Sequence, residues 1–311
     1  MEQAILGCRP GEDLSSQTRN RGEKMQIVSD RGMDMTPEQM EGLQIHLAPL
    51  TIRLDGKTYI SGVDIQREEF YDLLLSARGM PTTSLPSPGE FAELYRKLAQ
   101  TDPEILSIHI SSGLSNTYNA ALQGAKLVPE ARVTVYDTMT LSGGEGWQVE
   151  AAARAAKAGW PLDKTLAMLE RIREVAELVY TLPDLKYLIH GGRIGHLKGL
   201  LASLLKIKPL ISVSKETGKY YQRGQMRTFK KAVAKLVDLV AEDHAPGMAL
   251  RVQVMHANNP EGAERLQGLL DQRFDCTWLP ATSIAPVLGA HTGPGLVGVA
   301  YASLADYPVL P

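Results

Sequence analysis

The chain has 311 residues and a formal net charge of −2 at pH 7, with 44% hydrophobic and 22% charged residues. This composition indicates a soluble globular protein that is long enough to form two hydrophobic cores. It argues against nucleic acid or an anionic membrane as a partner, because no excess of Lys and Arg is available to neutralise phosphates.

The cysteines and the N-terminal segment bear on the compartment. Cys8 and Cys276 show neither metal-ligand spacing nor the dense pattern of a secreted disulfide scaffold, and the histidines are not spaced as metal ligands either. We therefore expect a reducing, cytoplasmic location and no metal site. Residues 1–24 carry charges and no apolar core, unlike a signal peptide. We expect a disordered tail there, with Met25 as a candidate start, and no integral membrane association, since no apolar run approaches ~18 residues.

The first half of the chain predicts alternating strands and helices. A strand over 26–29 ends in Asp30, and Thr36-Pro37-Glu38-Gln39 carries the capping-box pattern of a helix start. One strand is predicted over 45–54, followed by a hairpin turn at Asp55-Gly56 and a helix after Asp64. A second capped helix start lies at Ser87-Pro88-Gly89-Glu90.

The next segments indicate a parallel sheet. Short apolar runs at 105–110 and 133–136 flank a helical pattern over 118–127, which is the order of a βαβ unit. The second half predicts helices at 161–175 and 229–241. Its predicted strands are 205–213, 219–222, 250–255, 276–279 and 296–301.

These elements predict an α/β fold with two domains. Residues 25–165 are expected to form a three-layer α/β/α domain with a mainly parallel sheet. Residues 166–311 are expected to form a smaller α+β domain with a mixed sheet, with any ligand bound between the two.

The segment Ser111-Ser112-Gly113-Leu114-Ser115 is the strongest candidate for a ligand site. It joins a predicted strand to a predicted helix, so it gathers backbone N–H groups, hydroxyls and a helix N-terminus suited to a small anion. The alternative is that its hydroxyls only cap the helix. The segment matches neither the phosphate-binding loop GxxxxGK[ST] nor the GxSxG nucleophile elbow. Asp30 and the loop 137–142 also follow predicted strands and should share this edge of the sheet.

Two further segments concentrate polar groups. The proline-flanked loop 81–88 contains Thr82, Thr83 and Ser84, which form either a hydroxyl bracket for a ligand or part of a helix-capping linker. Arg193 lies between glycine pairs, where it can bind an anion or the carbonyls of a helix end. His291 lies in a Gly-Pro loop whose neighbours need tight or positive-φ backbone, although most loop histidines have no special role.

Six segments, in this order, resemble the DegV family between about Met25 and Tyr301. They are Thr-Thr-Ser-Leu-Pro-Ser-Pro (82–88), Ser-Ser-Gly-Leu-Ser-Asn-Thr-Tyr-Asn (111–119), Asp137 with Ser142-Gly143-Gly144, Gly191-Gly192-Arg193-Ile194, Leu-Leu-Lys-Ile-Lys-Pro-Leu (204–210) and His291-Thr292-Gly293-Pro294-Gly295.

The resemblance implies a protein that holds one long-chain fatty acid in a buried tunnel between its domains. It implies neither a cofactor nor catalytic residues. It also implies an ATP-binding fatty acid kinase subunit as partner, which phosphorylates the carboxylate to acyl phosphate for phospholipid synthesis. By this resemblance the carboxylate ligands are Thr83, Ser112 and His291, with Thr82, Ser84, Ser111 and Ser115 as a second group. Arg193 is expected at the entrance or on the surface that docks the partner.

Two residues depart from the family pattern. Arg31 replaces a serine after the first strand, and Leu85 stands where glutamine is usual. Two other functions remain open at the level of sequence. One is an acyl hydrolase that uses Ser112 with His291 as base, and the other is a protein that binds a phosphorylated metabolite.

Overall fold

The computed structural model describes residues 25–195, residue 197 and residues 207–311, which form an α/β fold. The first domain is built on a parallel sheet of four strands in the order β2-β1-β6-β7. These strands are β1 (Gln26–Asp30), β2 (Ile45–Ala48), β6 (Glu104–His109) and β7 (Arg132–Asp137). A small antiparallel sheet in the order β4-β3-β5 lies beside it, formed by β3 (Thr51–Leu54), β4 (Lys57–Ile60) and β5 (Thr82–Ser84).

Helices cover both faces of the parallel sheet. On one face, α3 (Pro88–Ala99) and α4 (Thr117–Lys126) pack against β6. On the other face lies α5 (Ser142–Lys157), against which α6 (Leu162–Val175) packs. Two helices precede these in the chain, α1 (Pro37–Met40) and α2 (Arg67–Ser76).

The second domain contains a mixed sheet of seven strands in the order β10-β9-β8-β14-β11-β12, with β13 also paired to β11. Its strands are β8 (Glu177–Thr181), β9 (Lys208–Val213), β10 (Tyr220–Met226), β11 (Ala249–His256), β12 (Asp275–Trp278), β13 (Thr282–Ser283) and β14 (Val297–Ser303). The outer face packs against α8 (Phe229–Asp243) and α9 (Pro260–Asp271). Two short helices, α7 (Lys186–His190) and α10 (Pro286–Thr292), contact each other at the domain junction.

The glycine-rich start of α5 lets this helix lie between the two principal sheets. A Cβ at Gly143 would come within 2.9 Å of Met255 Sδ, and one at Gly146 within 3.1 Å of Met35 Cγ. Trp147 donates a hydrogen bond from Nε1 to Gln253 Oε1 at 2.8 Å, which ties α5 to β11. The two domains therefore share one hydrophobic core.

Several local predictions are confirmed. Thr36 and Ser87 form the predicted capping boxes at the starts of α1 and α3. Asp55 and Gly56 both have positive φ, at 47° and 80°, in the hairpin between β3 and β4. The parallel and mixed sheets are also as predicted.

Other local predictions are wrong or incomplete. The single strand expected over 45–54 is two strands in different sheets, separated at Pro49, which has no N–H for a ladder bond. Sequence patterns also missed β8 and α9, and they identified only the start of α5. The domain boundary near residue 165 stays a prediction; residue 165 lies in α6, and the chain passes from one sheet to the other after that helix.

Within the described ranges, no helix combines the length and apolar character needed to cross a bilayer. Cys276 is a free thiol, and burial raises its pKa to about 12.

Candidate functional site

A cavity opens at the junction of the two domains, at the predicted carboxyl edge of the parallel sheet. It encloses about 620 Å³ when the space out to its open mouth is included. Its lining residues from the first domain include those of strand β5 and the 111–115 turn. Its lining residues from the second domain come from β10, α10 and the segment after α7. The lining residues are Leu50, Thr83, Ser84, Leu85, Ile110, Leu114, Ser115, Leu141, Arg193, Tyr220, Val287, Leu288, His291 and Thr292.

Thr83 and His291 meet across this cavity, 208 residues apart in the chain, with 2.8 Å between Thr83 Oγ1 and His291 Nε2. Strand β5 pairs with β3, which places Thr83 opposite Ile52 and fixes its direction. His291 lies in the last turn of α10, not in a loop as predicted, and the predicted positive φ occurs just after it, at Gly293 and Gly295.

The surroundings of His291 keep its imidazole uncharged. Burial, Arg193 and His190 lower the pKa of His291 to about 4. Gly191 packs directly against the ring, since a Cβ at this position would lie 2.2 Å from Nδ1. At neutral pH the ring therefore offers one N–H donor, and it does so from a fixed position.

Arg193 supplies the positive charge at this cavity. Its guanidinium donates from Nη1 to the carbonyl of Gly191 at 2.6 Å, so the predicted contact with a helix end exists. Arg193 also lines the cavity near His291 and Tyr220. The residue thus brings a cation to a polar end that already holds Thr83 and His291.

A second, apolar cavity adjoins the first and extends toward the shared core. Its empty space, including any that is open to solvent, is about 340 Å³, and its exposed lining is almost entirely apolar. Leu141, Tyr220, Leu288 and Thr292 line both cavities, so they form the neck between them. The remaining lining residues are Ser142, Leu178, Tyr180, Met255, Ile284, Leu296 and Gly298. The two cavities together are polar at the mouth and apolar inside.

The hydroxyls of the 111–115 turn make different contacts. Ser111 is buried and donates to the Gly218 carbonyl at 2.8 Å, which joins the two domains. Gly113 makes this contact possible, because a Cβ there would meet the backbone of Gly218 at 2.6 Å. Ser115 lines the cavity, and its hydroxyl is 2.8 Å from that of Thr117 in the first turn of α4. One hydroxyl of this turn therefore joins the domains while another faces the cavity.

The structure brings together some of the predicted site residues and separates others. Thr83, His291, Ser84, Ser115 and Arg193 line the cavity. Ser112 is exposed, its backbone N–H is bound to Asp137, and it does not line the cavity. Thr82 is exposed on β5 and, like Ser111, does not line the cavity either.

Sequence reasoning did not single out the apolar neck. Leu141 precedes α5, and Leu288 lies one helical turn before His291, yet neither differs in type from an ordinary core residue. Tyr220 follows a predicted turn, and only its position opposite Val213 in β9 directs it inward. Met255, in β11, also lines the inner cavity. Residues 204–206 of the family-like segment 204–210 lie outside the described residues.

A buried acidic cluster lies at the same end of β1. Asp30 accepts hydrogen bonds from the N–H groups of Gly32 at 2.7 Å and Ile110 at 3.1 Å, and it lies 2.9 Å from His109 Nδ1. Asp34 bridges the domains, since its Oδ1 accepts from Ala285 N at 2.7 Å and its Oδ2 accepts from the Ser142 hydroxyl. The hydrogen bonds of Asp34 hold the loop after β1 against the starts of α5 and α10.

Burial controls the charge of this cluster. It raises the pKa of Asp34 to about 6, and it raises the pKa of Glu145 well above its ordinary value. Among residues 25–195, 197 and 207–311, no group of acidic, histidine and cysteine side chains has the arrangement of a metal site.

The fold and the cavity define a two-domain α/β protein with a binding passage between its domains. A family model described as "Uncharacterised protein, DegV family" matches residues 24–304. A DegV domain-containing protein of Deinococcus radiodurans is 33% identical over 276 residues, which are 89% of this chain and 94% of that protein. The chain belongs to the DegV family.

Solved structures of similar proteins carry functional descriptions. A DegV family protein from Thermus thermophilus, described as fatty acid binding, superimposes with a TM-score of 0.82 and 29% identity over 90% of this chain and 100% of its own. DegV from Bacillus subtilis, described as a fatty acid binding protein, has a TM-score of 0.81 and 27% identity over 91% of this chain and 100% of its own.

Proposed function

We propose that this protein binds one long-chain fatty acid, with its carboxylate at Thr83 and His291 and its tail through the neck into the apolar cavity. The observation that carries the proposal is the adjoining pair of cavities, one with polar groups at its mouth and one with an apolar interior. The descriptions of the similar proteins from Thermus thermophilus and Bacillus subtilis support the same ligand class.

The tail supplies most of the affinity in this proposal. A tail of about 15 methylenes contributes on the order of 12 kcal/mol at ~0.8 kcal/mol per buried CH₂, before the costs of ordering. The methionine in the inner cavity, Met255, can adapt to tails of different shape. Burial of the chain therefore determines how tightly the ligand binds.

The polar groups orient the carboxylate at the mouth. In the tautomer with its proton on Nε2, His291 donates to Thr83 Oγ1, which leaves the threonine hydroxyl proton available for the carboxylate. Arg193 adds a positive charge at the same end. Ser84 and Ser115 line the cavity and can donate further hydrogen bonds. Ser112 is exposed and does not line the cavity, so this proposal does not use it as a carboxylate ligand.

Mass spectrometry of the purified protein tests the ligand class. Native spectra give the mass of any bound molecule, and denaturation with extraction identifies it. The proposal predicts one long-chain fatty acid per chain. A delipidated protein that fails to take up added palmitate or oleate would contradict it.

We further propose that the protein is the non-catalytic, substrate-carrying partner of an ATP-binding kinase in the cytoplasm, as the resemblance to DegV proteins implies. A carboxylate oxygen attacks the γ-phosphorus of ATP, the bond to the ADP oxygen breaks, and the product is an acyl phosphate for phospholipid synthesis. The open mouth, with Ser84 exposed at its edge, leaves the carboxylate end accessible to a partner. Arg193 lies on the same side, and Ile189 nearby is an exposed apolar residue for docking.

A coupled assay tests this role. The lipid-loaded protein is mixed with ATP and the candidate fatty acid kinase of the same organism, and hydroxylamine traps acyl phosphate as the hydroxamate. We expect ADP and hydroxamate only when both proteins are present. Hydroxamate formed without the kinase would assign the catalysis to this chain instead.

The geometry does not favour an acyl hydrolase built on Ser112 and His291. The imidazole Nε2 bonds Thr83, while Ser112 is exposed and outside the cavity. The lowered pKa of His291, about 4, also makes its imidazole a weak general base. Likewise, Ser111 donates to a carbonyl of the second domain, so it does not serve a phosphate at the start of α4.

A further inference from the structure

A third cavity lies on the other side of α10 from the fatty acid site. It opens between the loop after β1 and the start of α2 and encloses about 980 Å³ out to its mouth. Pro286, at the start of α10, faces this cavity, whereas His291, at the end of the helix, faces the first one. The third cavity shares no described lining residue with the passage proposed for the fatty acid.

Arg31 brings to this cavity a cation that no described residue neutralises. Its side chain forms no hydrogen bond or ion pair with any described residue, and its Nε is buried. The guanidinium packs against Gly62, where a Cβ would lie 2.6 Å from Nη1. Burial and Arg67 lower the pKa of Arg31, so its charged form is stabilised less here than in water. A half-buried charge without a partner is costly, and an anion bound in the cavity would remove that cost.

Arg67 lines the same cavity and is held in place by the protein. It donates to the carbonyl of Met35 at 3.2 Å and to the hydroxyl of Thr282, and it lies 3.9 Å from Asp34 Oδ1. Glu68 also lines the cavity but is exposed, so its carboxylate is hydrated at the mouth. Two guanidinium groups thus line the cavity, and the buried carboxyl of Asp34 lies beside one of them, Arg67.

Part of the wall is apolar and adaptable, although Ser61 and Gln66 also line the cavity. Met33 and Met35 are buried, whereas Met40 and Leu47 are half-buried, and all four line the cavity. Methionine side chains are unbranched and polarizable, so they accommodate apolar groups of varied shape. A ligand that suits this wall carries an apolar body next to its anionic group.

We propose that this cavity is a second ligand site, for a small amphipathic anion whose carboxylate or phosphoryl oxygens bind Arg31 and Arg67. The apolar body of the ligand packs against Met33, Met35 and Met40. Both carboxylate and phosphate match the planar fork of arginine, so the shared chemistry is an oxyanion with two accessible oxygens.

Titration calorimetry on protein loaded with one equivalent of palmitate tests the proposal with three probes: inorganic phosphate, hexanoate and hexyl phosphate. One equivalent occupies the first site and leaves no excess palmitate to compete with the probes at the second. We expect Arg31→Met to weaken binding of hexyl phosphate about tenfold or more, because it removes a charged hydrogen-bond donor. The matched control is Arg53→Met, which removes an exposed arginine and leaves affinity unchanged. Comparison of hexanoate with hexyl phosphate identifies the preferred head group.

Three results separate this proposal from a structural role for Arg31. Because Arg31 has no described partner, Arg31→Met should unfold without ligand at the same temperature as the wild type or higher. A markedly lower unfolding temperature would make Arg31 a structural residue and overturn the proposal. So would equal affinity of the variant and the wild type for hexyl phosphate, or no binding of any probe by the wild type. The proposal does not depend on the fatty acid function, since a protein that ignored palmitate could still bind hexyl phosphate through Arg31.

Discussion

Replacement of Thr83 by valine isolates the head-group interaction, because valine keeps the shape of threonine and removes its hydroxyl. In the wild type this hydroxyl lies 2.8 Å from His291 Nε2 and, in our proposal, donates to the carboxylate. A hydrogen bond to a charged group contributes about 1.5–3 kcal/mol. Thr83 is half-buried, and the bound carboxylate can partly replace it as a partner of His291, so the lower end applies. We expect affinity for palmitate to fall about tenfold.

The assay is titration calorimetry of delipidated protein with palmitate and with laurate. Because the head group and the tail occupy different cavities, the loss should be the same factor for both chain lengths. Without ligand, Thr83→Val should also lower the free energy of unfolding by about 1 kcal/mol, since His291 Nε2 loses its partner.

The matched control is Thr82→Val, on the same strand but exposed and outside the cavity. We expect it to bind both acids within about twofold of the wild type. Unchanged affinity in Thr83→Val, or an equal loss in Thr82→Val, would refute the placement of the carboxylate.

Further predictions concern the neck, the histidine and the acidic cluster. Leu288→Trp fills the neck, so the affinity for palmitate measured by calorimetry should fall at least about tenfold, and the affinity for hexanoate should fall less. Equal losses for the two acids would place the tail elsewhere. Gly191→Ala forces a methyl group against His291 Nδ1, and the displaced ring should weaken palmitate binding as much as Thr83→Val does; normal binding would show that the ring position is not required. Burial raises the pKa of Glu145 in the folded state, whereas the unfolded chain ionises near the ordinary value of 4.5. The stability of the wild type should therefore fall relative to that of Glu145→Gln as pH rises above that value. Urea unfolding at about pH 5 and about pH 8 measures the difference in free energy of unfolding between the two proteins. A difference that stays constant with pH would refute the raised pKa. Burial likewise raises the pKa of Asp34 to about 6, so the wild type should lose stability between about pH 4 and about pH 6. Over that range Asp34→Asn should become progressively less destabilising relative to the wild type, by up to about 3 kcal/mol.

Short-range chemistry made much of the fold predictable. The capping boxes at Thr36 and Ser87 and the positive-φ pair at Asp55 and Gly56 depend on neighbours within four residues, so the sequence carries the whole signal. Strand β8 was missed because its five residues, Glu-Leu-Val-Tyr-Thr, directly follow a long helix and have no turn signal before them.

The candidate site was predictable only in part, because its geometry depends on long-range packing. Thr83 and His291 were found through the family resemblance, but their mutual contact spans 208 residues. The 111–115 turn offers several hydroxyls, and nothing local shows that Ser111 bonds the second domain while Ser115 faces the cavity. Nor does anything local show that Ser112 is exposed, with its N–H bound to Asp137.

Arg31 shows the opposite case, in which a departure from the family pattern was visible in the sequence but its consequence was not. The cavity beside Arg31 exists only because α2, α10 and the loop after β1 surround it. A sequence can therefore indicate that a position is unusual without indicating what that position faces.

A crystal structure of the delipidated protein soaked with palmitate tests the central claim most directly. The account predicts one ligand, with carboxylate oxygens within hydrogen-bond distance of Thr83 Oγ1 and a tail that passes Leu141, Tyr220, Leu288 and Thr292 into the apolar cavity. A passage without palmitate, a carboxylate in it that lies away from Thr83, or a tail outside the neck would contradict it.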